Sequence, residues 1–206
     1  RAIPRPGGQV LEIAGRGTLE LGLPGRFQAD NALLAAGLAM ATGTADALDL
    51  LPRLQGVRGR MELAAEPNGA AVYVDYAHTP DALERLLRAL RPHTQGRLHV
   101  VFGAGGDRDR GKRPLMGAVC ARLADRAIVT DDNPRTEDPA AIRAEVLAGC
   151  PGGIDGGARE QAISMGLEGL RPGDVLAIAG KGHEQGQTIG TTTLPFDDVS
   201  VVRRLL

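Results

Sequence analysis

The chain has 206 residues, 43 % of them hydrophobic, enough for one large domain or a complete domain plus part of another. Its 24 basic against 25 acidic residues leave a net charge of −1, which speaks against a nucleic-acid or membrane-surface protein, since either draws on a basic excess. No apolar run nears the ~18 residues of a spanning helix and no basic-then-apolar leader opens the chain, so a cytoplasmic monomer is expected. With two Tyr, three Phe and no Trp, the core must be filled by Leu, Val, Ile and Ala.

Arg1-Ala2-Ile3-Pro4 carries no initiator Met and reads as a cut inside a longer protein. Val10–Ala14 and Thr18–Leu21 alternate around Gly15 and Gly17, as an antiparallel pair does. The Ala- and Leu-rich stretch Asn31–Met40 predicts a helix stopped at Gly43, and a second short helix runs from about Ala45 to Leu54. The glycine-flanked Gln55-Gly56-Val57-Arg58-Gly59-Arg60 marks a domain boundary, dividing the chain into 1–56 and 57–206. Beyond it Met61–Ala65 and Ala71–Asp75 are strands joined at Pro67-Asn68-Gly69. Thr79-Pro80-Asp81 then opens a helix with an N-cap, a first-position proline and an acid in the first turn.

Leu98–Phe102 is a continuous apolar strand, as expected of one covered on both faces. Helix Pro114–Leu123, strand Ala127–Thr130, helices Ala140–Leu147 and Ala158–Leu170, strand Val175–Ala179 and a closing helix Asp197–Leu206 complete the pattern. Strands separated by helices imply an α/β domain whose mostly parallel sheet has helices on both sides. Cys120 and Cys150 lack ligand-spaced partners and read as small buried apolar residues; no metal site is expected in this chain.

Ligands of such sheets lie beyond the carboxyl ends of the strands. Polar residues follow four of the predicted strands: Asp75-Tyr76-Ala77-His78, Gly103 to Arg113, Asp131-Asp132-Asn133-Pro134-Arg135, and Gly180-Lys181-Gly182-His183-Glu184. The glycine loop fits neither GxGxxG nor a GK[ST] loop, but it carries Arg108, Arg110, Lys112 and Arg113, which can take a carboxylate or phosphate or simply form a solvated face. Pro134 keeps Asn133 extended, so an amide and a guanidinium stand together; the segment is equally a helix-capping loop. Glu184 can receive an ammonium group, and Tyr76 can lie against a base ring.

In this order the four loops resemble the Mur ligase family, and within it the enzymes that add meso-diaminopimelate. Gly25-Arg26-Phe27 with Asn31 resembles the end of that family's central domain, and Gly59-Arg60-Met61-Glu62 its domain junction. The resemblance implies a Rossmann-like C-terminal domain, preceded by a remnant of the ATP-binding domain. It also implies an activity: ATP and Mg²⁺ activate the D-glutamate carboxylate of UDP-N-acetylmuramoyl-L-alanyl-D-glutamate as an acyl phosphate, which the amine of meso-diaminopimelate attacks. Residues matching the family's meso-diaminopimelate positions are Arg108, Asp132, Asn133, Pro134, Arg135, Gly180 and Glu184. Those matching positions near ATP are Asn31, Arg60, Asp75, Tyr76 and His78. Relatives that add lysine change the motif's arginine, so Arg135 favours diaminopimelate.

The family's P-loop, Mg²⁺ ligands and modified lysine would lie upstream of Arg1. No catalytic residue is assigned to this chain, which is therefore expected to be inactive alone, and Gln28 and Asp30 depart from residue types common in the family. Two other readings stand beside this one. The first is a lysine-adding or folylpolyglutamate-type ligase of the same superfamily. The second is a dinucleotide-binding module with a pyrophosphate on Gly103–Gly106 and a ribose on Asp131 or Asp132.

Overall fold

In the computed structural model, which describes residues 1–206, the chain opens on three antiparallel strands, β1 (Ala2–Arg5), β2 (Gly8–Ile13) and β3 (Gly17–Leu21). The expected pair is present; Pro4 hides β1 from a sequence reading, although proline is tolerated at a sheet edge. Helix α1 (Arg26–Ala41) begins at Arg26 rather than Asn31, because Gly25 at φ 87 turns the chain into its first turn. It buries Ala29, Ala32 and Ala36 and leaves Leu34 and Leu38 66 % and 62 % exposed. The next predicted helix is a 3-10 segment, Ala47–Arg53, whose Pro52 lacks an N–H for the helical ladder. Leu11, Leu21, Ala32 and Leu51 belong to a small core drawn from these elements alone.

The main sheet has six strands: β4 (Glu62–Ala65), β5 (Ala71–Asp75), β6 (Leu98–Ala104), β7 (Arg126–Asp131), β8 (Ile154–Gly157) and β9 (Val175–Ala179). Their spatial order is β4-β5-β9-β6-β7-β8. Only β4 runs antiparallel to its neighbour, so the mostly parallel sheet is as expected. Short, glycine-containing β8 has no apolar run to announce it.

Helices α2 (Pro80–Leu90), α3 (Lys112–Leu123) and α4 (Pro139–Ala148) cover one face through Leu83, Leu87, Met116 and Val146. Helices α5 (Arg159–Leu167) and α6 (Asp198–Leu205) cover the other through Ile163, Val201 and Val202. Caps set the helix starts: Thr79 accepts from the Ala82 N–H, Asp138 from Ala140 and Asp197 from Ser200. Helix α5 stops at Leu167 rather than Leu170, because Gly169 at φ 73 has left the helical region. Cys120 and Cys150 are unbonded and buried, as expected.

Two features position the site. Strand β9 inserts between β5 and β6, with α5 before it on one face and α3 after β6 on the other, creating the reversal where open α/β sheets lodge ligands. Beneath that point Arg159 and Asp198, both wholly buried, make a two-pronged pair at 2.7 Å for each prong. The opening segment is tied on by His93: its Nε2 accepts from the Gly25 N–H at 2.7 Å, so the proton sits on Nδ1, which faces the Gly8 carbonyl at 2.8 Å.

Candidate functional site

The four polar loops form one assembly. Gly180 N–H donates to the Asp75 carbonyl at 3.0 Å, joining the last loop to the first. Lys112 Nζ donates to the His78 carbonyl at 3.0 Å, joining the first to the glycine loop. Gly106 N–H donates to the Asn133 carbonyl at 2.9 Å, and Asn133 Nδ2 donates to Glu184 Oε2 at 3.0 Å.

The glycine loop itself differs from a phosphate cradle. Two of its N–H groups are already bonded within the protein: Gly106 to the Asn133 carbonyl and Asp107 to Glu137 Oε1 at 2.6 Å. Three of its four cations are also taken up. Arg113 is wholly buried and grips Glu137 and Glu145, Arg110 pairs with Glu145, and Lys112 serves the His78 carbonyl. Arg108 alone of the four makes no bond outside the loop; it is exposed and bonds the Asp107 carbonyl at 3.1 Å. The Arg113 hydrogen bond, with the Asp107 N–H, holds the Glu137 carboxyl down from the ordinary 4.5 to about 2. A depressed folded-state pKa contributes stability that is complete above pH 4.5 and is lost as pH falls toward 2. Acid unfolding followed by circular dichroism should therefore steepen across that window, and Glu137→Gln should flatten it.

Asn133 and Arg135 are held by the hairpin β10 (Gly186–Ile189) and β11 (Thr192–Pro195), which stands outside the main sheet. Arg135 sits at φ 51, a conformation uncommon for a side-chain-bearing residue. Its N–H donates to Thr188 O at 3.1 Å, and its carbonyl accepts from Gly190 N–H at 2.7 Å. Its Nη1 reaches the Gly106 carbonyl at 2.8 Å, and a side chain at Gly105 would collide with it and touch the Arg108 stem. Arg108 and Arg135 thus flank Gly105, with Asn133 and Glu184 alongside; Pro134 is buried below.

The floor carries Lys181, to which sequence reasoning gave no role, beside Asp132, which it did single out. Lys181 is fully buried, and its Nζ donates to Asn133 Oδ1 and to the Gly186 carbonyl, each at 2.8 Å. Burial pulls its pKa down, against the opposing pull of Asp132. Asp132 is buried with Oδ2 unpartnered, 3.8 Å from Arg159, and would meet any side chain placed at Gly180, whose φ is 121. The Gly-Lys-Gly string pointed to the loop, but nothing local signals the hairpin's grip through Gln187 and Thr188.

A second group lies at the junction with the opening segment. The Arg60 guanidinium stands 5.3 Å from the centre of the Tyr76 ring, which also meets His78 at 4.6 Å and His183 at 5.1 Å. Beside it a cleft of about 520 Å³ is walled by Phe27, Gln28, Arg60, Met61, Asp75 and Arg85, among others. Asp75 is committed to the backbone, accepting from Met61 and Ala77 N–H at 2.8 Å each, while burial raises its pKa. Asn31 stands on the exposed side of α1 and is not among the walls of this cleft.

Residues 59–182 match the family described as Mur ligase, glutamate ligase domain. This chain belongs to the Mur ligase family. Among curated relatives of this Mur ligase chain, the UDP-N-acetylmuramoyl-L-alanyl-D-glutamate–2,6-diaminopimelate ligase of Caulobacter vibrioides is 55 % identical over 203 residues, 96 % of this chain and 42 % of that protein. The enzyme of the same name from Rhizobium meliloti is 57 % identical over 187 residues, 89 % of this chain and 38 % of that protein. A solved structure of that name superposes with a TM-score of 0.81 at 37 % identity, covering 100 % of this chain and 44 % of that one. The Mur ligase chain therefore spans about two fifths of the length of these curated relatives. A folylpolyglutamate synthase from Thermotoga maritima, 22 % identical with a TM-score of 0.64, shares the fold. No helix is long and apolar enough to cross a membrane.

Proposed function

We propose that this chain is the C-terminal part of an ATP-dependent ligase that adds meso-diaminopimelate to UDP-N-acetylmuramoyl-L-alanyl-D-glutamate in peptidoglycan synthesis. One observation carries the reading: two guanidinium groups, an amide and a carboxylate gather around Gly105 and Asn133. A doubly zwitterionic amino acid needs that set, with Arg135 and Arg108 for the carboxylate at one end and Glu184 for the ammonium beside it. A forked guanidinium selects a planar carboxylate, which lysine lacks at that position.

Residues 1–56 would close the preceding ATP-binding domain, and 57–206 would form the amino-acid-binding domain. The separate small core and the outward Leu34 and Leu38 of α1 support that division, as a helix covered on both sides would carry them. ATP fits the junction: Tyr76 offers a ring face and Arg60 a cation beside the cleft. ATP supplies the phosphoryl group that activates the acceptor carboxylate. This chain's part is to orient the incoming amine and to hold its carboxylates away from the reacting centre. No cluster of three or more His, Cys, Asp or Glu side chains here fits a metal ion, so residues of this chain do not by themselves make a Mg²⁺ site. The Gly106 and Asp107 N–H groups, already bonded within the protein, disfavour a dinucleotide module.

Calorimetric titration of the chain with meso-diaminopimelate tests the proposal. Saturable binding, with L-lysine much weaker, is expected; no binding, or a preference for lysine, overturns the substrate. Mixed with ATP and the UDP-linked acceptor, the chain alone is expected to yield no amide.

A further inference from the structure

We propose that Lys181 is a positioning residue for amino-acid recognition: its enclosed ammonium sets the orientation of the Asn133 amide and so determines what that side chain offers the ligand. For the identity of the ligand this rests on the function proposed above.

An amide group has nearly the same shape in either orientation, so sterics alone do not choose between Oδ1 and Nδ2. Here two donors converge on Oδ1, Lys181 Nζ at 2.8 Å and the Thr188 N–H at 2.9 Å. Nδ2 is thereby turned to Glu184 Oε2 at 3.0 Å. A flipped amide would set its NH₂ against an ammonium and an N–H, and its oxygen against a carboxylate. With the orientation held, one Nδ2 proton serves Glu184 and the second is left for a ligand carboxylate.

Charge completes the device. Under the loops Lys181 and Arg159 are matched by Asp132 and Asp198, all four buried. Glu184 is one-third exposed and 3.7 Å from Lys181. Its negative charge is thus left over for a ligand ammonium, while its position is set by Asn133. Removing the lysine charge would free the amide and leave the floor net negative. Recognition of the ligand's carboxylate and ammonium would weaken together, although Lys181 has no surface on which to touch a ligand.

The test is a double-mutant cycle of Lys181→Met and Asn133→Ala, read by calorimetric titration of each folded variant with meso-diaminopimelate. Lys181→Met is expected to weaken binding about tenfold or more, as for loss of a charge-assisted hydrogen bond. In the Asn133→Ala background the same change is expected to cost less than about twofold, because the group it orients is gone. Losses that multiply independently overturn the proposal. A second measurement needs no ligand: the Nδ2 protons of Asn133, followed by NMR, should exchange with solvent at least about tenfold faster in Lys181→Met than in the unsubstituted chain. Unchanged exchange overturns the proposal. If the unsubstituted chain binds no meso-diaminopimelate, the substrate assignment fails, and the amide signals still decide the role of Lys181.

Discussion

Arg135→Ala is expected to weaken meso-diaminopimelate binding by one to two decades, roughly 1.5–3 kcal/mol for the loss of hydrogen bonds to a charged carboxylate. The backbone argues that this loss reports recognition and not misfolding. Position 135 lies at φ 51, and alanine meets the same left-handed strain as arginine there, so the substitution leaves that cost in place. The backbone bonds to Thr188 and Gly190 persist as well. Affinity for L-lysine, which has no carboxylate at that end, should change little. Titration with both amino acids separates the outcomes: equal loss for both would show that the substitution collapses the loop, and no loss for either would remove Arg135 from the site. Arg135→Lys should recover only part of the affinity, because a point charge cannot fork onto two oxygens.

Asp198→Ala is expected to destabilise the fold by about 3–5 kcal/mol, the cost of leaving a buried charge without its partner. Arg159 is wholly enclosed, and apart from Asp198 it has the Ala179 carbonyl at 3.1 Å and Asp132 at 3.8 Å. Without Asp198 its charge would pull on Asp132, at the root of the segment bearing Asn133 and Arg135. Weaker diaminopimelate binding should accompany the loss of stability. Urea denaturation measures the first effect, and the double replacement Arg159→Met with Asp198→Leu isolates its cause. Removing both charges together should be close to neutral, because the desolvation of two ions is then also removed. A double variant as unstable as Asp198→Ala would point instead to packing.

Much of this architecture could be read from local patterns. The apolar run of β6, the Leu83, Leu86, Leu87, Leu90 spacing of α2 and the Thr79-Pro80 start each depend on residues within a few positions of one another. Elements without such a pattern were not legible: β1 with its proline, β8 with its glycines, and the exposed β11. The order of the polar loops pointed to the family, and the strand-end rule placed all four at one edge. It did not separate ligand-facing groups from structural ones. Asp75 reads as a binding acid, yet both its oxygens take backbone N–H groups.

The sequence by itself determined the class of fold, the caps, the positions of the loops and the family, because hydrophobic period, turn chemistry and motif order are written in neighbouring residues. Tertiary structure alone decided which charges are free. Arg113 finds Glu137 and Glu145 24 and 32 positions away, Lys181 finds Asn133 48 positions away, and Arg159 finds Asp198 39 positions away. Charges act through space, and in a low-dielectric interior a partner a few ångströms off outweighs any neighbour in the chain. Of the cations around the glycine loop, Arg108, Lys112 and Arg135 are therefore left without a carboxylate partner, and only the folded arrangement distinguishes them from Arg110 and Arg113.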